Sequence, residues 1–162
     1  KAFIFDIDGV LSLQTISLNA FGVPNRTVNL RDGYALQLAS KKGYIIGIIS
    51  GSKSKEYQKR LKMLGINDIY LNSHNKLDNF RTFLKKHNLD RSDVLFMGDD
   101  IPDFEVMKEA GIPVCPSDAD SEIKQVSSYI SDKKGGEGCV RDVIEQVLRL
   151  HDNWMDSDAF TW

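Results

Sequence analysis

The chain has 162 residues, 41% of them hydrophobic and 27% charged, with a formal charge of −2; this suits one soluble globular domain long enough to bury a full core. Lysines and arginines are dispersed, which excludes the basic footprint of a nucleic-acid binder, and no apolar run approaches the roughly 20 residues of a membrane-spanning helix. Cys115 and Cys139 make no disulfide framework and suit a reducing cytoplasm, while His74, His87 and His151 lack metal-ligand spacing and read as surface or supporting residues.

The opening "KAFIF" reads as a strand that starts at once, so a few residues are expected upstream. It runs directly into Asp6, Ile7, Asp8 and Gly9. Residues from about 11 to 30, β-rich with a turn signal between Asn19 and Pro24, predict a hairpin. Asp32 is expected to cap a helix over "GYALQLASKK" that Gly43 stops. "YIIGIIS" is a continuous apolar run, as for a strand covered on both faces. An amphipathic helix ("KSKEYQKRLKML"), a short strand ("DIYL") and a third helix ("KLDNFRTFLKKH") follow. Then come strand "DVLFMG", helix "DFEVMKEA", strand "IPVC", helix "DADSEIKQV", strand "SYIS" and the long helix "CVRDVIEQVLRL", before a tail over about 151–162. This alternation predicts an α/β fold, a Rossmann-like three-layer sandwich with a mainly parallel central sheet, in one domain over 1–162.

Ligands of such sheets bind beyond the carboxyl ends of the strands. There the sequence places Asp6 to Gly9, Ser50 to Ser52, Asn72 to Lys76, and Gly98 to Asp103. Asp6 and Asp8, with Asp99, Asp100 and Asp103, put so many carboxylates together that a cation must sit among them. Oxygen-only ligands select a hard ion, with Mg²⁺ typical where phosphate oxygens and waters complete the shell. Ser50 offers a hydroxyl, Gly51 lets backbone amides approach an anion, and Lys76 adds a compact positive charge. One carboxylate attacking phosphorus while another serves as acid and base would explain the pair. Each element has a plainer reading as a helix cap, a turn or a solvated lysine; their ordered recurrence after successive strands favours the chemical one.

In combination "FIFDIDGV", "IISG", Lys76 in "NSHNKLDNF" and "MGDDIPD" resemble the four motifs of the haloacid dehalogenase phosphatase superfamily. The resemblance implies that Asp6 is the nucleophile and Asp8 the general acid/base. Mg²⁺ would be held by Asp6, the main-chain carbonyl of Asp8, and Asp99. Ser50, Gly51 and Lys76 would hold the phosphoryl group, with Asp100 and Asp103 as supporting carboxylates. "VNLRDGYALQLA", "RLKMLGI" and "KKGGEGCVRDVIEQVL" resemble one subgroup more closely, the phosphatases of 3-deoxy-D-manno-octulosonate 8-phosphate (KDO 8-phosphate). That likeness implies a cytoplasmic, Mg²⁺-dependent phosphomonoesterase of lipopolysaccharide biosynthesis working through an aspartyl phosphate. It also implies a homotetramer without a large cap domain, whose hairpins meet between subunits. KDN 9-phosphate or another small phosphate ester is the alternative substrate; a non-catalytic binding module and a phosphoacceptor receiver domain are the other readings, the last disfavoured by the paired aspartates at the first strand.

Arg31, Asp32, Tyr34 and Arg60, with the loop carrying Gly135, Gly136 and Arg141, are the candidates for recognising the sugar acid, Arg141 because a guanidinium pairs with a carboxylate bidentately. Asp32 is equally a helix cap, Arg60 a surface cation, and the glycine loop a connection into the last helix. Ser50 stands where the subgroup commonly has threonine. Ser52 and Lys53 follow where relatives carry arginine, and the glutamate of KDN 9-phosphate enzymes is lacking. Trp154 and Trp162 are expected either to anchor the tail on a neighbouring subunit or to pack locally.

Overall fold

The first strand, β1 (Ala2–Phe5), is buried along its whole length and sends alternate side chains to opposite faces. Phe3 and Phe5 join one core, with Leu36 and Ala39 of α1 (Leu30–Lys41), Leu61 of α2 (Lys55–Met63), and Val140, Ile144 and Leu148 of α6 (Cys139–Leu150). Ala2 and Ile4 join the other, with Phe80 and Phe83 of α3 (Lys76–His87), Val106 and Met107 of α4 (Phe104–Glu109), and Ile123 of α5 (Ser121–Val126). Each large apolar side chain buried this way contributes roughly 1.5–3 kcal/mol. Helices therefore cover both faces of the sheet, giving the three layers expected. The computed structural model describes residues 1–161, and Trp162 lies outside them.

The remaining strands are β2 (Ile45–Ile49), β3 (Asp68–Tyr70), β4 (Val94–Met97), β5 (Ile112–Cys115) and β6 (Tyr129–Ile130). The six-stranded sheet has the order β3-β2-β1-β4-β5-β6, and every pairing in it is parallel. The chain moves outward from β1 through β2 to β3, then returns to the other side of β1 and moves outward again. The reversal opens a crevice past the ends of β1 and β4, which pair in register from Ala2 opposite Val94 to Phe5 opposite Met97. Asp6 and Asp99 follow those two strands, so topology alone brings them together.

The hairpin of residues 11–30 takes a reduced form. The segment does turn back, with Leu18 bridged antiparallel to Pro24, Asn25 N–H donating to Ser17 O at 2.9 Å and Asn19 N–H to Val23 O at 2.9 Å. No regular strand forms within it. Leu18, Phe21 and Val23 are exposed, and a ribbon with nothing packed on its apolar face gains little from regular pairing. Helix α1 also starts earlier than expected, because Asn29, not Asp32, is its cap and accepts from the N–H groups of Arg31 and Asp32. Trp154 packs locally. It meets Tyr34 edge-on at 6.0 Å between ring centres, and the Arg141 guanidinium lies 4.9 Å from its own.

Candidate active site

Lys76 is the first residue of α3, whose cap Asn75 accepts from Asp78 N–H. This places the ammonium inward at the strand ends instead of in solvent, and Lys76 is only 7% exposed. Its Nζ donates to Asp6 Oδ2 at 2.6 Å and to Asp103 Oδ1 at 2.7 Å. The other oxygen of Asp6 accepts from Ile7 N–H at 2.6 Å, and Asp103 Oδ2 accepts from Asp99 N–H at 3.2 Å. Asp103 ends a short 3-10 turn opened by Asp100, and the tightness of that turn folds its carboxylate back under Gly98. A Cβ on Gly98 would stand 2.4 Å from Asp103 Cβ, so this turn needs glycine.

Asp6, Asp99 and Asp103 are all buried and can each present an oxygen within 4.8 Å of the others. One lysine does not balance them. Burial, then the charges of Asp103 and Asp6, push Asp99 up to about 7. Burial and the charge of Asp6 likewise push Asp103 up to about 6. Burial alone would depress Lys76, but the charges of Asp6 and Asp103 prevail and raise it. A buried, all-oxygen donor set with surplus negative charge is what a hard divalent cation requires, so these residues fit one.

The surrounding cleft, of about 770 Å³, is lined by Asp6, Asp8, Gly9, Ser50, Gly51, Lys76, Asp99, Asp100 and Asp103 among others. Every residue expected to carry chemistry thus meets in one place. Ser50 follows β2; its Oγ accepts from Ser52 N–H at 3.2 Å and retains its own proton to donate to an anion. Gly9, at φ +80°, turns the chain directly against Asp99, where a Cβ would lie 1.9 Å from Oδ2. Behind it, a Cβ on Gly135 would stand 1.9 Å from the Gly9 carbonyl oxygen, and Gly136 N–H donates to Val10 O at 2.8 Å.

Sequence reasoning missed several residues of the cleft. Gln14 Nε2 donates to Asp99 Oδ2 at 3.1 Å and to Asp118 O at 3.3 Å. Ser73, exposed His74, Asp118 and Asp120 also line the cleft. Arg26 reaches back from the loop after β1 to Asp8 through two bonds of 2.7 Å. Ser52, Ser73 and His74 lie in strand-end segments the topology already singled out; Gln14 and Arg26 lie in an irregular loop with no periodic signal.

The proposed recognition residues fare differently. Among the described residues, Arg31, Asp32, Tyr34, Arg60 and Arg141 do not line this cleft. Arg141 pairs with Glu145 one helical turn on at 3.1 Å and covers Trp154, while Tyr34 OH bonds to Ala159 O. Asp32 is 2% exposed, and its Oδ1 accepts from Arg141 N–H at 2.7 Å, tying α1 to the start of α6. With Arg60 it borders a separate small cavity under α1 and α2. Gly135 and Gly136 act on the site as backbone wall, through Gly9, Ser12 and Leu13.

The family model of the haloacid dehalogenase-like hydrolases matches residues 63–144, a span that includes Lys76, Asp99 and Asp103. The 3-deoxy-D-manno-octulosonate 8-phosphate phosphatase of Escherichia coli K12 is 34% identical over 148 residues, 91% of this chain and 79% of its own. This chain belongs to the haloacid dehalogenase-like hydrolases. Within that family it groups with the KDO 8-phosphate phosphatases. The Moraxella catarrhalis enzyme of that name, solved with magnesium ion, phosphate ion and KDO, superimposes with a TM-score of 0.90 at 35% identity, covering 94% of this chain and 88% of its own. A putative KDO 8-phosphate phosphatase from Vibrio cholerae gives 0.91 at 31% identity, with 96% and 87% covered. The family assignment accounts for the carboxylates at the ends of β1 and β4, and the described chain, like the expectation from sequence, has no large cap over them.

Proposed function

We propose that the chain is a Mg²⁺-dependent phosphomonoesterase that releases phosphate from KDO 8-phosphate. The carrying observation is the Lys76-bridged Asp6 and Asp103, set beside Asp99 at the sheet's reversal, in a chain similar over nearly its whole length to enzymes of that name. Asp6, Asp99 and the main-chain carbonyl of Asp8 would hold the ion, with Asp103 behind them. Bound there, it would draw charge from the phosphoryl oxygens and offset the surplus carboxylates.

The chain's own residues supply the rest. Asp6 attacks phosphorus; the bond to the sugar oxygen breaks and Asp8 protonates that oxygen, leaving an acyl phosphate on Asp6. Asp8 then takes a proton from water, which attacks the acyl phosphate, regenerating the Asp6 carboxylate and freeing phosphate. Lys76, Ser50 and the amides around Gly51 stabilise the charge on the transferring group, while Asp100 and Asp103 hold the loop and the lysine in place.

We place the enzyme in the cytoplasm, where Cys115 and Cys139, both free and buried, remain reduced. We further propose a homotetramer joined through the loop after β1, which exposes 63% of Leu18, 90% of Phe21 and 47% of Val23. In such an assembly a neighbour would bring recognition groups to an otherwise open cleft. The test measures phosphate release from KDO 8-phosphate and KDN 9-phosphate, with Mg²⁺ and with excess chelator, using Asp6→Asn as control. Preference for the eight-carbon ester, lost with chelator and in the variant, is expected. Turnover of other esters alone would remove this substrate, and no turnover of any ester would remove the enzyme reading.

A further inference from the structure

Arg26 belongs to a loop whose neighbours Asn19 to Gly22 are exposed, yet its own side chain is only 10% exposed. Its Nε donates to Asp8 Oδ1 and its Nη2 to Asp8 Oδ2, each at 2.7 Å, a flat two-point grip that a lysine cannot copy. The loop is fastened just beyond it. Thr27 N–H donates to Ser12 Oγ at 2.9 Å, Leu13 N–H donates to Thr27 Oγ1 at 3.0 Å, and the two hydroxyl oxygens lie 3.2 Å apart. Arg26 is therefore aimed at Asp8 by a stitched backbone. The Asp8 side chain itself remains 42% exposed toward the cleft.

Taking the proposed role of Asp8 as given, we infer that Arg26 is a positioning residue for the proton-transfer step. The guanidinium fixes the plane of the Asp8 carboxylate and occupies one acceptor site on each oxygen. A carboxylate has about four such sites, so capacity remains to carry the proton that passes to the leaving oxygen and, later, the proton taken from water. The loop after β1 thus contributes to the chemistry itself, in addition to any role between subunits.

The test compares Arg26→Ala and Arg26→Lys with wild type on two esters, the sugar-acid phosphate and p-nitrophenyl phosphate, whose phenolate leaves without being protonated. The expected result for Arg26→Ala is a fall of about 10²-fold or more in kcat on the alkyl ester, with KM within about threefold. The pre-steady-state burst of nitrophenolate should persist while its steady-state rate falls, because water attack still needs Asp8. Arg26→Lys should recover part of kcat. A loss confined to KM, an equal loss in the burst and on the alkyl ester, or no loss would each overturn the inference, and circular dichroism would identify a variant that fails to fold, for which Arg26→Lys alone is then read. Asp8→Asn separates this from the parent reading: full turnover by Asp8→Asn removes the role of Asp8 itself, whatever Arg26 does.

Discussion

Lys76 and Asp103 meet at 2.7 Å with side chains 7% and 1% exposed, so the pair sits in the interior and is charge-assisted. Breaking such a pair costs more than forming it returns, because the surviving charge is left buried. Lys76→Met should therefore destabilise the metal-free protein by about 3–5 kcal/mol in urea titration and abolish turnover. Adding Asp103→Asn should restore part of the stability and none of the activity. Strictly additive losses in that double-mutant cycle would show that the two residues are not coupled.

Asp99→Asn should move stability and activity in opposite directions. It removes a carboxylate that burial and two like charges already push to about 7, so the metal-free variant should melt higher than wild type. It also removes a proposed metal ligand. Wild type should gain about 2.7 kcal/mol when Mg²⁺ is raised to a hundred times its dissociation constant, and the variant much less. Equal Mg²⁺ responses in calorimetry would place the ion elsewhere.

Asp32 gives a pH dependence with a definite sign. Burial raises it from 3.8 to about 6 against the lowering effect of Arg141, and its Oδ2 has no hydrogen-bond partner among the described residues. Between those values the folded state holds a proton that the unfolded state has lost. Its stabilising contribution is thus complete below about pH 4 and lost as pH rises through about 6, a swing of roughly 3 kcal/mol. Asp32→Asn should flatten the dependence of Tm on pH between 4 and 7, with the amide oxygen still able to accept from Arg141 N–H. An unchanged slope would assign the effect to other groups.

Trp154→Ala tests whether the tail is part of the domain. The ring is 4% exposed among Tyr34, Arg141 and Arg149, and nearby Asp156 pairs with Lys42. The substitution should cost about 3–5 kcal/mol. Phe160→Ala, at a side chain 72% exposed, should cost under about 0.5 kcal/mol in the monomer. Similar losses at the two positions would mean the tail packs differently.

The meeting of Asp6, Asp8, Ser50, Lys76, Asp99 and Asp103 in one cleft was legible because strand ends in an alternating α/β chain are fixed points: naming the strand names the place. Arg26 and Gln14 were not legible, since a loop without period does not reveal which of its side chains turns inward. Asp32 was misread for a different reason. Asn29 and Asp32 are both capping residues by type and stand one helical turn apart, and only the backbone at Asn29, extended at φ −89° and ψ 117°, decides between them. The hairpin fell short because its apolar side chains have nothing among the described residues to cover them, and sequence propensity does not register a missing partner. Arg141 was assigned to a ligand for its two-point guanidinium on a glycine-rich loop; within the chain Glu145 and Trp154 engage it.

The contact of Gly135 with Gly9 restricts how this scaffold can change. With a Cβ clearance of only 1.9 Å to a carbonyl oxygen, no rotamer relieves a larger residue at position 135; a peptide would have to move, and Asp8 and Asp99 with it. The rear of the cleft is therefore frozen across two segments that lie far apart in the chain. Within the chain, new substrate preferences are left to exposed lining positions off that wall, such as Gln14 and His74. A library built at those positions should yield altered selectivity with the fold intact, whereas one built at Gly9 and Gly135 should yield mainly misfolded chains.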